Sequence, residues 1–328
     1  MSDELRTRDG DLDEARPEDE TVPQHEPLGG AGTSAAEAGE TAGGSTIRQA
    51  SLWGDAWIEL RHNPLFIVAS ALILMFAAMA IVPGLFTNAD PRACNLSNSL
   101  IRPSATNWFG FDLQGCDYYA QIIYGARASI SIGLLTVSAA AVVGVLFGSL
   151  AGYYGGWIDA LAARLSDIVF AIPTVLGGIV FLSALDEQGI PQVSAVLVLL
   201  GWPTMLRLMR SSVLAAKESD YIDAARALGA SDARIIRRHI LPNAIAPVVV
   251  YATIYVGIII TAEAALTFLG VGLQLPAISW GLMLSEAQNR VLTAPHLLFF
   301  PGAALSLAIL SFILMGDALR DALDPKLR

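Results

Sequence analysis

Lysine is scarce in this chain of 328 residues, and its scarcity excludes a large class of enzymes. The only lysines are Lys217 and Lys326. A phosphate-binding loop needs Gly-Lys-Ser/Thr, whereas these lysines are followed by Glu218 and Leu327. We therefore expect no ATP hydrolysis within this chain, and any ATP and Mg²⁺ would be bound by partner subunits.

Other catalytic patterns are also missing. The four histidines form no His-Glu-x-x-His motif, and there is no Gly-x-Ser-x-Gly nucleophile turn. An intramembrane enzyme would need a nucleophile paired with a base at bilayer depth, which Glu263 alone does not provide. The sequence thus predicts no catalytic residue, no metal site and no cofactor in this chain.

Charged residues make up only 15% of the chain, against 54% hydrophobic residues, which excludes an ordinary soluble domain. The formal net charge of -10 lies mostly in residues 1–44, which hold 12 acidic residues and 3 arginines. Residues 45–328 are nearly neutral, with no basic patch of the kind that binds nucleic acid.

The first 44 residues are acidic, rich in Gly, Ala, Pro and Thr, and without aromatics. This composition favours a disordered tail, because it offers too little apolar surface to offset the entropy of ordering. It has neither the basic start nor the apolar core of a signal peptide. A solvated extension is the simpler interpretation, and a regulatory tail repelled by anionic lipid is the alternative.

Long apolar runs predict an all-helical integral membrane protein. Residues 51–62 form an amphipathic stripe typical of a helix lying in the membrane interface. Six spans are predicted at 65–86, 129–152, 165–185, 193–213, 243–270 and 299–318. In the third span, Pro173 and the pair Gly177-Gly178 indicate either a bend that lines a transport path or close packing through small residues.

The distribution of arginines predicts which loops of the chain face the cytoplasm. The segment 207–239 and the C-terminus carry most of the basic residues, whereas the long loops 87–128 and 271–298 carry four arginines. Because the cytoplasmic side is the more positive one, both termini and the segment 207–239 are expected in the cytoplasm.

A polar segment between two spans carries the most informative pattern. It contains Asp223-Ala224-Ala225-x-x-Leu228-Gly229 and, eleven residues later, Ile240-Leu241-Pro242. It reads as two short helices joined by a turn at 229–232, with Ser231 as a possible N-cap of the second. Ala224, Ala225 and Gly229 would give a small-residue face that another protein can approach closely.

This pattern resembles the coupling loop of permease subunits in binding-protein-dependent ABC importers. The flanking sequences 221–231, 239–243, 279–281 and 316–325 resemble the C-type permease of the dipeptide/oligopeptide/nickel branch, from about Leu52 to the C-terminus. One departure is Asp223, where the family usually has Glu. Another is the turn 110–117, which ends in Gly115-Cys116-Asp117 where the family has Gly-Arg-Asp.

The resemblance implies a type I importer permease with an in-plane N-terminal helix and a cytoplasmic coupling helix. It divides the chain into a tail (1–44), an N-terminal unit (45–128) and a permease core (129–328) with the coupling loop at 214–242. It implies transport of dipeptides or oligopeptides across the bacterial cytoplasmic membrane by alternating access. The alternative cargoes are nickel chelates, oligosaccharides or another small solute.

The implied partners are a second, B-type permease, two cytoplasmic ATPases and an extracytoplasmic binding protein, all within membrane lipid. The docking residues implied by the motif are Asp223, Ala224, Ala225, Leu228, Gly229, Ile240, Leu241 and Pro242. Without the flanking matches, the segment would read as an ordinary cytoplasmic loop. A self-sufficient secondary transporter would instead show repeats and several intramembrane charges.

Three further residues stand out. Glu263 is a carboxylate deep in the fifth predicted span, where a charge is costly, so it is expected to face the bundle interior. It is either a hydrogen-bonding hub, a contact for a peptide amino terminus or part of a gate. Cys94 and Cys116, both in the first outer loop, are expected to form a disulfide, with free thiols or a metal site as the alternatives.

Overall fold

The computed structural model describes residues 52–323 as an almost entirely helical protein, with one isolated β-bridge between Phe111 and Asp117. The tail 1–44, the adjoining residues 45–51 and the C-terminal residues 324–328 lie outside the described residues. The α-helices up to residue 217 are α1 (Leu52–Leu60), α2 (Pro64–Ile81), α3 (Tyr118–Tyr154), α4 (Gly156–Phe170), α5 (Thr174–Ser183) and α6 (Ile190–Lys217). Those that follow are α7 (Asp220–Ala227), α8 (Asp232–Arg234), α9 (Leu241–Ala244), α10 (Ala246–Phe268), α11 (Trp280–Ala287) and α12 (His296–Leu323).

Five of the described helices are long and apolar enough to cross a membrane, namely α2, α3, α6, α10 and α12. The predicted third span, 165–185, is instead two helices, α4 and α5, that meet at an angle of 83°. The count is six spans if this bent pair is one of them. The break falls at Pro173, because proline lacks an N–H and disfavours helical backbone in the residue before it.

Helix ends follow local capping chemistry, so they differ from boundaries set by hydropathy alone. The Asn63 side chain accepts hydrogen bonds from the backbone N–H groups of Leu65 and Phe66, which starts α2. Asp117 caps α3 through the N–H of Ala120 at 2.8 Å, so the helix begins at Tyr118, eleven residues before the predicted start of that span. The third helix therefore extends well beyond the run of apolar residues.

The largest helix interface joins α3 and α6, which run parallel. Three glycines of α3, spaced four residues apart, lie against three larger side chains of α6 with the same spacing. They are Gly144, Gly148 and Gly152, opposite Met205, Met209 and Val213. A Cβ atom at any of the three glycines would come within 3 Å of α6, so these positions need glycine for the two backbones to pack.

Other elements close the bundle at its two ends. Near the N-terminus, α1 packs on the end of α12 through Ala56, Leu60, Ala318 and Ala322. At the opposite end, the fully buried Trp280 of α11 donates from Nε1 to the carbonyl of Ile122 at 3.0 Å. The loops on this side are thereby fastened to the start of α3.

Candidate docking segment and intramembrane polar groups

The candidate docking segment is the polar stretch between α6 and α10, residues 218–245. It begins with α7, and two residues separate α7 from the end of α6. Ile222 is fully buried in the main apolar core, whereas Leu228, just beyond the helix, is 89% exposed. Asp223 lies in the first turn and pairs with Arg226 at 3.1 Å along the helix surface. The helix is thus held to the bundle by one face and exposed on the other.

The eight residues expected to meet an ATPase separate into two groups. Asp223, Ala224, Leu228, Gly229 and Pro242 are exposed. Ala225 differs from the expectation, because it is only 9% exposed and faces the bundle instead of the open small-residue face. Ile240 is fully buried and Leu241 half-buried, so these two hold the segment to the protein.

The turn after α7 depends on Gly229, whose φ of +78° lies in the left-handed region that side chains disfavour. The second part of the segment is not one regular helix: α8 continues into a π-helical stretch, Ile235–Ile240, and then into α9. The Ser231 side chain makes no capping hydrogen bond, contrary to expectation. The neighbouring Asp232 is bound to the end of α3 instead.

That contact uses Tyr153, the next-to-last residue of α3. Its hydroxyl donates to Asp232 Oδ1 at 2.7 Å, and its carbonyl accepts from Lys217 Nζ, at the end of α6, at 2.6 Å. The Arg226 guanidinium lies 5.9 Å from the centre of the Tyr153 ring. One residue therefore ties α3, α6 and both halves of the docking segment together.

Two ion pairs between α4 and α6 were missed by the sequence reasoning. Arg210 binds Asp159 through two nitrogens, with Nη2 to Oδ2 at 2.6 Å. Arg207 binds Asp167 at 2.5 Å and stacks over the Phe170 ring at 4.2 Å. The only available signal was opposite charges on neighbouring apolar segments, which did not specify which carboxylate meets which arginine.

Glu263 lies on α10 and is fully buried. Its carboxylate accepts from Thr267 Oγ1 at 2.9 Å and from Ser129 Oγ of α3 at 3.3 Å. Thr267 in turn accepts from the N–H of Leu273 at 3.1 Å. This network joins α3, α10 and the loop after α10, which is the geometry of a hydrogen-bonding hub.

The loop between α2 and α3 is closed by a disulfide between Cys94 and Cys116. Next to it, the buried carboxylate of Asp112 accepts from the N–H of Cys116 at 2.8 Å and from Gln121 Nε2 at 2.7 Å. The turn that departs from the family pattern is thus fastened covalently and by hydrogen bonds. Within residues 52–323, no three His, Cys, Asp or Glu side chains cluster as metal ligands would.

Taken together, the apolar helices and the polar segment between α6 and α10 define a multi-spanning helical membrane protein. Residues 144–328 match the family described as "Binding-protein-dependent transport system inner membrane component". Residues 51–103 match the "N-terminal TM domain of oligopeptide transport permease C". The chain belongs to this family of inner-membrane transport components, which confirms the resemblance and the fold class inferred from the motif.

Curated relatives match over most of their length. The dipeptide transport system permease protein DppC of Alkalihalophilus pseudofirmus is 41% identical over 85% of this chain and 91% of its own. The oligopeptide transport system permease protein OppC of Bacillus subtilis is 37% identical over the same shares. The glutathione transport system permease protein GsiD of Escherichia coli is 38% identical over 84% of this chain and 91% of its own.

Proposed function

We propose that this chain is the C-type permease subunit of an ATP-driven importer that moves dipeptides or oligopeptides across the bacterial cytoplasmic membrane. Three relatives at 37–41% identity are named for dipeptide, oligopeptide and glutathione transport, all of them peptides. The match of residues 51–103 to an oligopeptide permease domain supports the same cargo class.

The observation that carries the proposal is the docking segment, whose outer edge is open while its base is tied to two spans. Leu228 and Ala224 lie on the open edge, and Tyr153 and Lys217 hold the base. An ATPase that grips this edge would therefore move α3 and α6 with it. Two ATPases would supply the hydrolysis, and an extracytoplasmic binding protein would deliver the cargo.

A second permease, of the B-type, would complete the path. The faces of α4 and α5 that this chain leaves open are apolar, with Ile168, Leu176 and Val180 all more than half exposed. In the proposed cycle, ATP binding closes the two ATPases, the docking segments move together and the path opens outward. Hydrolysis and product release return it to the inward-facing state.

The proposal places both termini and the docking segment in the cytoplasm. The chain between the middle of α6 and the start of α9 carries seven basic residues, and each of the two loops on the other side carries far fewer. This asymmetry follows the positive-inside rule.

The test is affinity purification of the tagged chain from gently solubilised membranes, with mass spectrometry of every co-purifying protein. We expect a second permease, ATPases with phosphate-binding loops and a binding protein. Leu228→Glu places a charge on the docking edge and should release the ATPases while retaining the second permease. Leu292→Glu, at a residue 98% exposed on the opposite side, is the matched control. Recovery of the folded chain alone would refute the importer.

The cargo is tested through the binding protein recovered in that experiment. Peptides of two to five residues should bind it and should be taken up by cells only when this chain is present. Binding of a nickel chelate or an oligosaccharide, without peptide, would assign the chain to another cargo of the same permease type.

A further inference from the structure

A concave basic surface lies immediately after the docking turn. It is lined by three arginines and two small residues, namely Arg234, Arg237, Arg238, Ser231 and Ala233. We call it the arginine groove, and we propose that it binds the phosphate of an anionic phospholipid in the cytoplasmic leaflet. The assignment to the cytoplasmic leaflet rests on the proposed function, whereas the binding of an anionic phospholipid to the groove does not.

The arginines of the groove have no ion-pair or side-chain hydrogen-bond partner in the described part of the protein. Arg234, Arg237 and Arg238 are exposed, and within residues 52–323 none of them forms an ion pair or side-chain hydrogen bond. The acidic residue within the same stretch, Asp232, is bound to Tyr153 at 2.7 Å. Three guanidinium groups therefore surround one concavity without a counter-ion from the part of the chain that the structure describes.

The depth of the groove favours a lipid over a soluble ligand. Asp232 is bound to the end of α3, where Tyr154 and Trp157 are 49% and 75% exposed. Exposed aromatic residues at helix ends are typical of the headgroup level of a membrane. Only two residues after Arg238, Ile240 is fully buried in the apolar core. The arginines thus lie where the chain enters the bundle, on the same end of the helices as aromatic residues of the type that mark the headgroup level.

The chemistry of the groove matches a phosphodiester. Guanidinium groups bind phosphate oxygens through paired, charge-assisted hydrogen bonds. Ser231 and Ala233 have short side chains, which leave space for a headgroup between the arginines. Basic clusters next to a span are attracted to anionic leaflets, by about fivefold in affinity for each residue.

The position of the groove also separates it from the docking edge. Leu228, which is 89% exposed, precedes the turn at Gly229, whereas the groove follows that turn. An ATPase that contacts Leu228 and Ala224 is therefore not the occupant that the geometry favours for the arginines, and ATPase contact becomes an outcome of the test.

The test measures binding of fluorescent phosphatidylglycerol and fluorescent phosphatidylcholine to the full chain purified in dodecyl maltoside micelles. The unaltered chain should prefer phosphatidylglycerol, and the preference should weaken as salt rises. Arg234→Gln/Arg237→Gln/Arg238→Gln should weaken that binding by up to roughly 100-fold. The triple lysine variant keeps the charge and should lose far less. Arg92→Gln/Arg102→Gln/Arg290→Gln removes the same charge on the other side as a control.

Three outcomes would overturn the proposal, and a fourth would refute only the proposed function. An equal affinity for both lipids, or a preference that survives the glutamine substitutions, would mean that the groove binds no anionic lipid. Full competition by millimolar inorganic phosphate would assign the groove to free phosphate. Loss of co-purifying ATPases with lipid preference intact would assign the arginines to the ATPase. Absence of ATPases from the unaltered chain would refute the importer and leave the lipid measurement standing.

Discussion

Arg210 on α6 grips the carboxylate of Asp159 on α4 with two of its nitrogens, one of them 2.6 Å from Oδ2. The two side chains are 35% and 24% exposed, so the pair is partly shielded from water. Because α6 leads directly into the docking segment, this pair fastens the first half of the bent span to the element that a partner would move.

Breaking this pair is predicted to destabilise the protein. Asp159→Asn leaves Arg210 partly buried without a counter-ion, at a cost between the values for exposed and buried pairs, about 1 to 3 kcal/mol. Thermal unfolding of the purified chain measures the loss. The exchanged pair Asp159→Arg/Arg210→Asp should recover at least half of it. Arg207→Gln is the matched control and should cost less than about 1 kcal/mol, since its pair is 51% and 56% exposed.

The glycine contact between α3 and α6, made by Gly144, Gly148 and Gly152, is predicted not to tolerate even one added methyl group. A Cβ at Gly148 would lie 2.7 Å from the carbonyl oxygen of Leu206 and 2.9 Å from Met209 Cβ. Gly148→Ala should therefore cost about 1 to 3 kcal/mol through overpacking. Gly84→Ala, where no atom lies within 4 Å of the added carbon, serves as the control. Equal unfolding temperatures for both variants would contradict the close approach of the helices.

The disulfide is predicted to stabilise the outer loop. It joins residues 22 apart, and closing a loop of that size is worth about 3 kcal/mol in the chain-entropy account. A reducing agent should lower the unfolding temperature of the unaltered chain and should leave Cys94→Ser/Cys116→Ser unchanged. Two thiols that react with maleimide in the unreduced protein would show that the bond is absent.

Glu263 is predicted to act through hydrogen bonds and not through a charge offered to cargo. Glu263→Gln keeps an acceptor of the same size between Thr267 and Ser129, so uptake should persist. Glu263→Ala leaves buried hydroxyl groups without this partner, at about 1 to 3 kcal/mol each, and should reduce the amount of folded protein. Loss of uptake in a well-folded glutamine variant would instead make the carboxylate a substrate contact.

The stability of the protein is predicted to depend on pH through the carboxyl group of Glu286. It lines a small outer cavity, where desolvation and then the charge of Asp112 raise its pKa above the ordinary value of 4.5. A carboxyl whose pKa is higher in the folded state stabilises the fold while protonated, and that stability is lost as pH rises from 4.5 through the raised pKa. Glu286→Gln should make this slope smaller, and Glu187→Gln, at an exposed position, should leave it unchanged. Chemical unfolding at pH 4 to 8 measures both.

Much of the fold and of the candidate site could be predicted from local patterns in the sequence. The family and the position of the docking segment followed from Asp223–Gly229 and Leu241–Pro242, because a short motif keeps its spacing whatever surrounds it. Five of the six predicted spans correspond to single helices, since apolar length alone decides whether a helix suits a membrane.

Pro173 marked a weak point in the third span, but pattern alone could not say that it separates two helices at 83°. A proline removes one hydrogen bond, and the packing of neighbouring helices sets the resulting angle. Ala225 was assigned to the open face by its small size, whereas the tilt of α7 against the core buries it.

The sequence by itself determined the membrane class and the family, and it predicted the segment where a partner docks, because composition, motif spacing and charge asymmetry are properties of the chain in order. Only the tertiary structure decided that Arg210 meets Asp159, that Gly148 meets Met209 and that Tyr153 holds Asp232. Each of these pairs is 51 or more residues apart in sequence, and no local rule selects one partner among many at that separation.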